Sequence, residues 1–297
     1  MSRGNRWVIM LVVFIAVMVY NSMTRRSQMQ PETSLVPGPL AQARQAHPTK
    51  LLQQGPSPQE YDNTVPAGVE SITYPSNGRT LKAWLMRPTT PGKHPAVCFC
   101  HGGFALGSGD DEAPRAFVNA GYVVMLPSWR GENGNPGNFE FFFGEVDDAK
   151  AALDYLAQSP DVDASRLYAT GHSAGGTMAM LLAEMDPRLR KAAACGGMAS
   201  IRRFVELTKK APFDAYYDWK DPVENDLRSA GLHVSDLNCP LKLFYGSDER
   251  ALQSMAKPML RSAEKAGKQV TLEVIPNADH SSALEPAVQQ MITFFNE

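Results

Sequence analysis

The amino-acid sequence predicts an α/β protein built on a mostly parallel, doubly wound sheet with helices on both of its faces. Three observations support this prediction. From residue 68 onward, strand-like and helix-like segments alternate along the chain, which is typical of parallel sheets. Several of the strand-like segments are continuously apolar, as strands buried on both faces require. The pattern Gly171-His172-Ser173-Ala174-Gly175 lies between an apolar run and a helix-forming run, so it predicts a tight turn from strand to helix.

The elements of this domain are predicted in order along the chain. Segments 69–74 and 80–87, joined by the turn Ser76-Asn77-Gly78, predict an antiparallel pair of strands. Apolar runs then predict strands at 96–100, 121–126, 166–170, 191–195, 241–245 and 270–275. Apolar residues at helical spacing predict a helix over 145–157, a second helix includes 177–183, and each of the last two strands is followed by a helix.

Length and composition place the chain among ordinary globular proteins. Its 297 residues suffice for one large α/β domain with accessory segments, and 43% of them are hydrophobic. A formal net charge of −2 gives no basis for nucleic-acid binding, so no nucleic-acid partner is expected. The cysteines at 98, 100, 195 and 239 lack the spacing of a metal site. They are expected to be core or near-core thiols, and a disulfide stays open if the domain is exported.

The N-terminal residues 1–26 predict a membrane attachment. Residues 7–20 form an uncharged apolar run preceded by Arg3 and Arg6, which is typical of a secretory signal. The run is shorter than the ~20 residues of a membrane span, but no small-residue cleavage site follows it. An uncleaved anchor is therefore favoured over a removed signal peptide. The following domain is expected on the extracytoplasmic side, periplasmic or extracellular, and it is secreted if the segment is cleaved.

Residues 27–66 predict a tether between this anchor and a domain that spans residues 67–297. The segment is rich in Pro and Gln and has little hydrophobic periodicity. Its prolines are too dense for the interior of a helix or a sheet, so an extended linker is expected.

Ser173, at the centre of the Gly-x-Ser-x-Gly pattern, is the candidate nucleophile. The flanking glycines allow a serine at a sharp corner, and the N-terminus of the following helix directs free N–H groups towards a developing oxyanion. A serine needs a general base, and the base needs an orienting acid. Of the two histidines after Ser173, His233 lies in an irregular insert, whereas His280 directly follows the last predicted strand. His280 is therefore the candidate base.

The orienting acid is predicted in the loop after strand 241–245. Asp248 is the favoured residue because the acid is expected between the serine and the histidine in the chain, at the end of a strand. Glu249 is an alternative, since the loop after Gly246 is compact.

The oxyanion-binding groups are predicted after strand 96–100, in the segment His101-Gly102-Gly103-Phe104. Its two glycines allow backbone N–H groups to turn towards the oxyanion. Gly103 or Phe104 is expected to supply one donor, and the N–H of Ala174 the other. His101 and His172 are expected to form structural hydrogen bonds.

With these residues together, the region from about Gly68 to Glu297 resembles the α/β-hydrolase superfamily. Within it, the chain is similar to the catalytic domain of the prolyl oligopeptidase family and to the related dienelactone-hydrolase-like esterases. The matching segments are His101-Gly102-Gly103, Trp129-Arg130-Gly131, Gly171 to Gly176, Asp248-Glu249-Arg250, and Ala266 to Val270 leading to Pro276 through His280. The resemblance implies an α/β-hydrolase fold and a serine-hydrolase activity.

The chain departs from the prolyl oligopeptidase pattern in two places. Only tether-like residues precede the domain, so no gating β-propeller is expected, and an open site favours an esterase over a dedicated peptidase. The loop after Gly246 is also shortened, which bears on the choice between the two acids.

Three further side chains are candidate substrate contacts. Arg130 is a candidate partner for a substrate carboxylate, although a structural salt bridge is favoured. Phe213 and Trp219 belong to the insert 199–238, which is rich in aromatic residues. This insert is expected either to cap the site and line an acyl pocket or only to pack on the domain.

The sequence therefore predicts a membrane-tethered serine hydrolase that cleaves a carboxylic ester or a related acyl bond through Ser173, His280 and Asp248. Its expected substrate is a small-molecule ester or a short peptide, and no metal or organic cofactor is expected. One alternative is an exopeptidase of the prolyl oligopeptidase type, which would hold a substrate terminus with Arg130 or an insert residue such as Glu224. Another is a non-catalytic scaffold that binds a ligand or a partner. The natural substrate and the oligomeric state stay open.

Overall fold

The computed structural model describes residues 33–212 and 216–297. Within these residues, eight strands form one sheet in the order β1-β2-β4-β3-β5-β6-β7-β8. The strands are β1 (Glu70–Ser76), β2 (Arg79–Met86), β3 (His94–Cys100), β4 (Val123–Pro127), β5 (Val162–Gly171), β6 (Leu189–Cys195), β7 (Leu241–Gly246) and β8 (Val270–Ile275). β2 pairs antiparallel with β1 and β4, and the other neighbouring strands pair in parallel. The predicted fold class is confirmed.

Helices cover both faces of this sheet. They are α1 (Leu40–Ala46), α2 (Arg115–Asn119), α3 (Gly144–Gln158), α4 (Ala174–Met185), α5 (Ile201–Thr208), α6 (Pro222–Asp226), α7 (Arg250–Ala266) and α8 (Leu284–Asn296). Alternate residues of a strand point to opposite faces. Accordingly, Cys98 of β3 joins the core cluster that includes α3 and α4, whereas Val97 and Phe99 join the cluster that includes α2 and α8.

The described part of the predicted tether, residues 33–66, packs on the domain instead of extending from it. α1 lies within this segment, and the side chain of Leu40 is completely buried. The backbone N–H of Leu40 donates to Asp236 at 2.7 Å, and that of Leu35 donates to Asp226 at 2.6 Å. The prediction of an extended tether is therefore wrong for these residues. Their partners lie far along the chain, and local proline density does not reveal them.

The predicted anchor, residues 1–26, lies outside the described residues and stays a prediction, as do residues 27–32 of the tether. Among residues 33–212 and 216–297, no helix has both the length and the apolar character needed to cross a bilayer. The four cysteines are buried free thiols, as the sequence predicts for core positions.

Candidate active site

Ser173 lies at the turn between β5 and α4 in a strained backbone conformation. Its φ is 57° and its ψ is −118°, a combination that non-glycine residues rarely adopt. The Ser173 N–H donates to the carbonyl oxygen of Cys195 at 2.9 Å, which ties the turn to the end of β6. A side chain at Gly171 or Gly175 would collide with the carbonyl oxygen of Cys100 at the end of β3. The two glycines of the motif are therefore needed where β3, β5 and α4 meet.

Ser173, His280 and Glu249 form a continuous row of hydrogen-bonding side chains. The Nε2 atom of His280 lies 2.9 Å from the Oγ atom of Ser173. The Nδ1 atom of His280 lies 2.5 Å from Oε1 of Glu249. When the Nδ1–H group donates a hydrogen bond to the carboxylate, Nε2 carries a lone pair directed at the serine hydroxyl. This arrangement is able to transfer the hydroxyl proton from the serine to the histidine.

The contact predicted for Asp248 is made by Glu249, its neighbour in the chain. Asp248 is exposed, and its carboxylate lies 3.3 Å from the hydroxyl of Ser247. Glu249 is 8% exposed, and its Oε2 atom accepts the N–H of Gly246 at 2.6 Å. The turn after β7 closes through a bond from the Glu249 N–H to the Gly246 carbonyl oxygen. This closure directs the side chain of residue 249, and not that of 248, towards the histidine.

His172 supports the loop that carries His280. The Nε2 atom of His172 lies 2.7 Å from the backbone carbonyl oxygen of His280, and the two rings are 4.7 Å apart. Burial, followed by the charge of His280, lowers the pKa of His172 to about 3. The imidazole is therefore neutral and donates from Nε2, as the expected structural role requires.

Gly196, which follows β6, is a site residue that the sequence analysis missed. A side chain built there would lie 2.9 Å from Cε1 of His280 and 3.2 Å from Oε1 of Glu249. Its φ of 63° also favours glycine. The only local signal is the Gly196-Gly197 pair at the end of a predicted strand.

The segment predicted to bind the oxyanion lies beside Ser173. A side chain built at Gly102 would lie 3.8 Å from Cβ of Ser173. The φ of Gly103 is 68°, and the N–H of Phe104 donates to Oε1 of Gln59 at 2.8 Å. Ala174 is the first residue of α4, where backbone N–H groups have no partner within the helix. Gly103, Phe104 and Ala174 lie close together, since all three line one small cavity. Gln59, a residue of the predicted tether, contacts this group through Phe104.

The first residue of this segment, His101, forms a buried ion pair with Glu132. The Nε2 atom of His101 is 3.1 Å from Oε2 of Glu132, and the His101 ring stacks on Trp129. Burial alone lowers the pKa of His101, but the charge of Glu132 and its hydrogen bond outweigh burial and raise the pKa to about 9. The imidazole is therefore charged at neutral pH and stabilises the start of the loop 101–104.

Of the three candidate substrate contacts, Arg130 and Trp219 are described, and each packs against other parts of the domain. Arg130 is buried and bonds Asp148 through two nitrogens, at 2.9 and 2.8 Å, and Glu140 at 3.1 Å. It therefore forms a structural salt bridge, which the sequence favours over binding of a substrate carboxylate. Trp219 packs against the main core, and Phe213 lies outside the described residues.

A small cavity lies behind Phe104. It is lined by Phe139, Phe142 and Ala174 among others, and its volume of about 10 Å³ leaves room for no more than one water molecule. It is therefore too small to hold an acyl chain in this conformation.

The parallel sheet, the strained serine at the end of β5 and the histidine after β8 define an α/β-hydrolase. The model of the prolyl oligopeptidase family matches residues 111–297, which is more than half of the chain. The chain belongs to the prolyl oligopeptidase family, and it is a serine hydrolase of the peptidase or esterase type.

Individual relatives are named as peptidases and as a dienelactone hydrolase. The chain is 28% identical over 197 residues to the "Uncharacterized peptidase YtmA" of Bacillus subtilis, covering 61% of this chain and 73% of that protein. An acylaminoacyl peptidase of Pyrococcus horikoshii has a TM-score of 0.65 at 17% identity, over 77% of this chain and 41% of its own. A Klebsiella pneumoniae protein named "Putative Dienelactone Hydrolase" has a TM-score of 0.57 at 22% identity, over 77% of this chain and 98% of its own. The two structural matches establish the fold, and this chain spans less than half of the acylaminoacyl peptidase.

Proposed function

We propose that the protein cleaves carboxylic esters or related acyl bonds through Ser173, His280 and Glu249. The observation that carries this proposal is the row in which His280 lies 2.9 Å from the serine oxygen and 2.5 Å from the glutamate oxygen. Glu249 takes the role that the sequence assigned to Asp248. A non-catalytic scaffold would not require these three side chains to be aligned, so the row argues against that alternative.

The proposed reaction proceeds through an acyl-enzyme. The Oγ atom of Ser173 attacks the substrate's carbonyl carbon while His280 accepts the hydroxyl proton, and Glu249 stabilises the resulting imidazolium. The backbone N–H groups of Phe104 and Ala174 bind the oxyanion. His280 then returns the proton to the leaving alcohol. A water molecule, activated by the same histidine, releases the acid and restores the serine.

A peptidase acting on short peptides is the second candidate function. It is supported by the peptidase names of YtmA and of the P. horikoshii protein. The two residues suggested for holding a substrate terminus give it no support. Arg130 is paired with two carboxylates, and Glu224 is paired with Arg228 at 2.6 Å.

The proposal is tested with the full chain on p-nitrophenyl esters from acetate to decanoate and on aminoacyl p-nitroanilides. We expect wild type to hydrolyse the esters, and Ser173→Ala to lower kcat by about 10⁴-fold or more. Ser165→Ala, which changes an exposed serine, serves as the control and should match wild type. Equal ester turnover by wild type and Ser173→Ala would contradict the proposal. Faster turnover of the anilides than of the esters would favour the peptidase.

A further inference from the structure

Residues 57–62, which we call the strap, lie against the loops that follow β3 and β4. At one end, the Ser57 N–H donates to the Gly131 carbonyl oxygen at 2.8 Å, and the Ser57 hydroxyl bonds to the carbonyl oxygen of Phe104. At the other end, the carbonyl oxygen of Asp62 accepts the N–H of Ser108 at 2.7 Å. Both ends of the strap are therefore hydrogen-bonded to the loop after β3, which carries the candidate oxyanion donors Gly103 and Phe104.

Gln59, at the centre of the strap, bonds one of these donors directly. Its Oε1 atom accepts the Phe104 N–H at 2.8 Å and the hydroxyl of Tyr61 at 3.1 Å. A side chain built at Gly103 would lie 3.0 Å from the same oxygen, so this oxygen packs closely against the loop. Two donors converge on an uncharged amide oxygen, which has the same planar carbonyl geometry as an acyl substrate.

We propose that Gln59 occupies the subsite for the substrate's carbonyl oxygen, so that the strap acts as a built-in competitor of the substrate. This inference rests on the proposed function, in which the Phe104 N–H binds the oxyanion. The single N–H of Phe104 cannot make full hydrogen bonds to the Gln59 oxygen and to a substrate oxygen at the same time. The substrate therefore binds productively only to the fraction of molecules in which the Gln59 side chain has moved away.

This competition has a defined kinetic signature. Binding to a minor open fraction raises the apparent dissociation constant by the inverse of that fraction and leaves the later chemical steps unchanged. One net hydrogen bond corresponds to roughly a two- to tenfold effect. Removing the Gln59 side chain should therefore lower KM by this factor while kcat stays the same.

The test uses the full chain with Gln59→Ala, Gln59→Asn and Gln59→Glu, and with Glu60→Ala as a control at a neighbouring exposed strap residue. Two rates are measured: ester hydrolysis, and labelling of Ser173 by a fluorophosphonate. In the labelling, the serine oxygen bonds to phosphorus, fluoride leaves and His280 accepts the proton. We expect Gln59→Ala and Gln59→Asn to label roughly two- to tenfold faster than wild type. Gln59→Glu should label more slowly because a carboxylate binds an N–H more strongly. Glu60→Ala should match wild type.

The outcomes separate this inference from the proposed function. If wild type labels at Ser173 and neither shortened variant is faster, Gln59 is not a competitor, while the hydrolase function stands. A fall in kcat with unchanged KM in Gln59→Asn would also overturn the inference, because Gln59 would then support the chemistry. If wild type and all variants neither label nor hydrolyse esters, the proposed function is wrong and this inference falls with it. Thermal unfolding shows whether Gln59→Ala and Gln59→Asn are folded. If one of them misfolds, the other still tests the inference.

Discussion

The carboxylate of Glu249 and the ring of His172 fix His280 from two directions. Glu249 bonds the imidazole at Nδ1, while His172 bonds the backbone carbonyl oxygen of the same residue. Glu249 is itself fixed by the N–H of Gly246. The position and the tautomer of the base therefore depend on residues from two other turns, the one after β5 and the one after β7.

At the scale of single residues, the two neighbouring acids give a matched pair of variants. We expect Glu249→Gln to lower kcat for ester hydrolysis by about 10²- to 10⁴-fold, because an amide no longer holds the correct histidine tautomer. Asp248→Asn changes an exposed side chain and should leave kcat within the error of wild type. If steady-state kinetics show a large loss of kcat for Asp248→Asn and none for Glu249→Gln, Asp248 is the acid that orients His280.

The proximity of Ser173 and His280 could be predicted because each carries a local signal. The serine lies between glycines at a strand-to-helix junction, and the histidine follows the last strand. The choice between Asp248 and Glu249 depends on how tightly the turn after Gly246 closes, which is a matter of a single residue. Sequence patterns predict the end of a strand only to within a few residues. They therefore do not determine which of the two acids contacts His280.

At the scale of elements, α1 and the segment that follows it belong to the folded domain. The guanidinium of Arg44 lies 4.3 Å over the ring of Phe143 and bonds the carbonyl oxygen of Phe142 at 3.1 Å. Leu51 pairs with Tyr217 in an isolated bridge, which links the segment to the insert. A chain cut at residue 66 would therefore lose buried contacts with two separate parts of the domain.

Two leucines of this segment test that conclusion. Leu40 is 0% exposed and Leu35 is 55% exposed. We expect Leu40→Ala to lower the free energy of unfolding by about 2–5 kcal/mol, because it leaves a cavity between α1 and the core. Leu35→Ala should change it by less than about 0.5 kcal/mol. Urea unfolding of the full chain provides the measurement, and equal stability of the two variants would show that α1 is not packed in solution.

The tether was predicted from proline density, and that signal describes only the local backbone. Pro56 and Pro58 do keep the strap out of helix and sheet, as predicted. Polar contacts with residues 226 and 236 nevertheless hold the segment on the domain. The doubly wound sheet could be predicted because each of its strands has its own apolar pattern, whereas a segment that docks through distant partners has none.

At the scale of the whole molecule, the buried pair of His101 and Glu132 makes stability depend on pH. The pKa of His101 is raised to about 9 in the folded state, against 6.5 ordinarily. The stabilisation is therefore complete below pH 6.5 and is lost as the pH rises through 9. The difference between these pKa values corresponds to roughly 3 kcal/mol.

We expect the gap in unfolding free energy between wild type and Glu132→Gln to be largest near pH 6 and to narrow towards pH 9.5. Urea unfolding at several pH values measures this gap, and the comparison cancels contributions from the other titrating groups. The variant keeps an amide oxygen that accepts the backbone N–H of Trp129, so the gap reports the loss of the carboxylate charge. A gap that does not change with pH would mean that His101 is uncharged in the folded protein.

The docking of α1 also has a consequence for biosynthesis. Leu40 and its partner Asp236 are 196 residues apart, and Leu35 and Asp226 are 191 apart. At a translation rate of roughly 5–20 residues per second, about 10–40 s pass between the synthesis of α1 and the synthesis of its partner. α1 therefore docks late, and during that interval its apolar side chains are accessible to chaperones and proteases on the ribosome-bound chain.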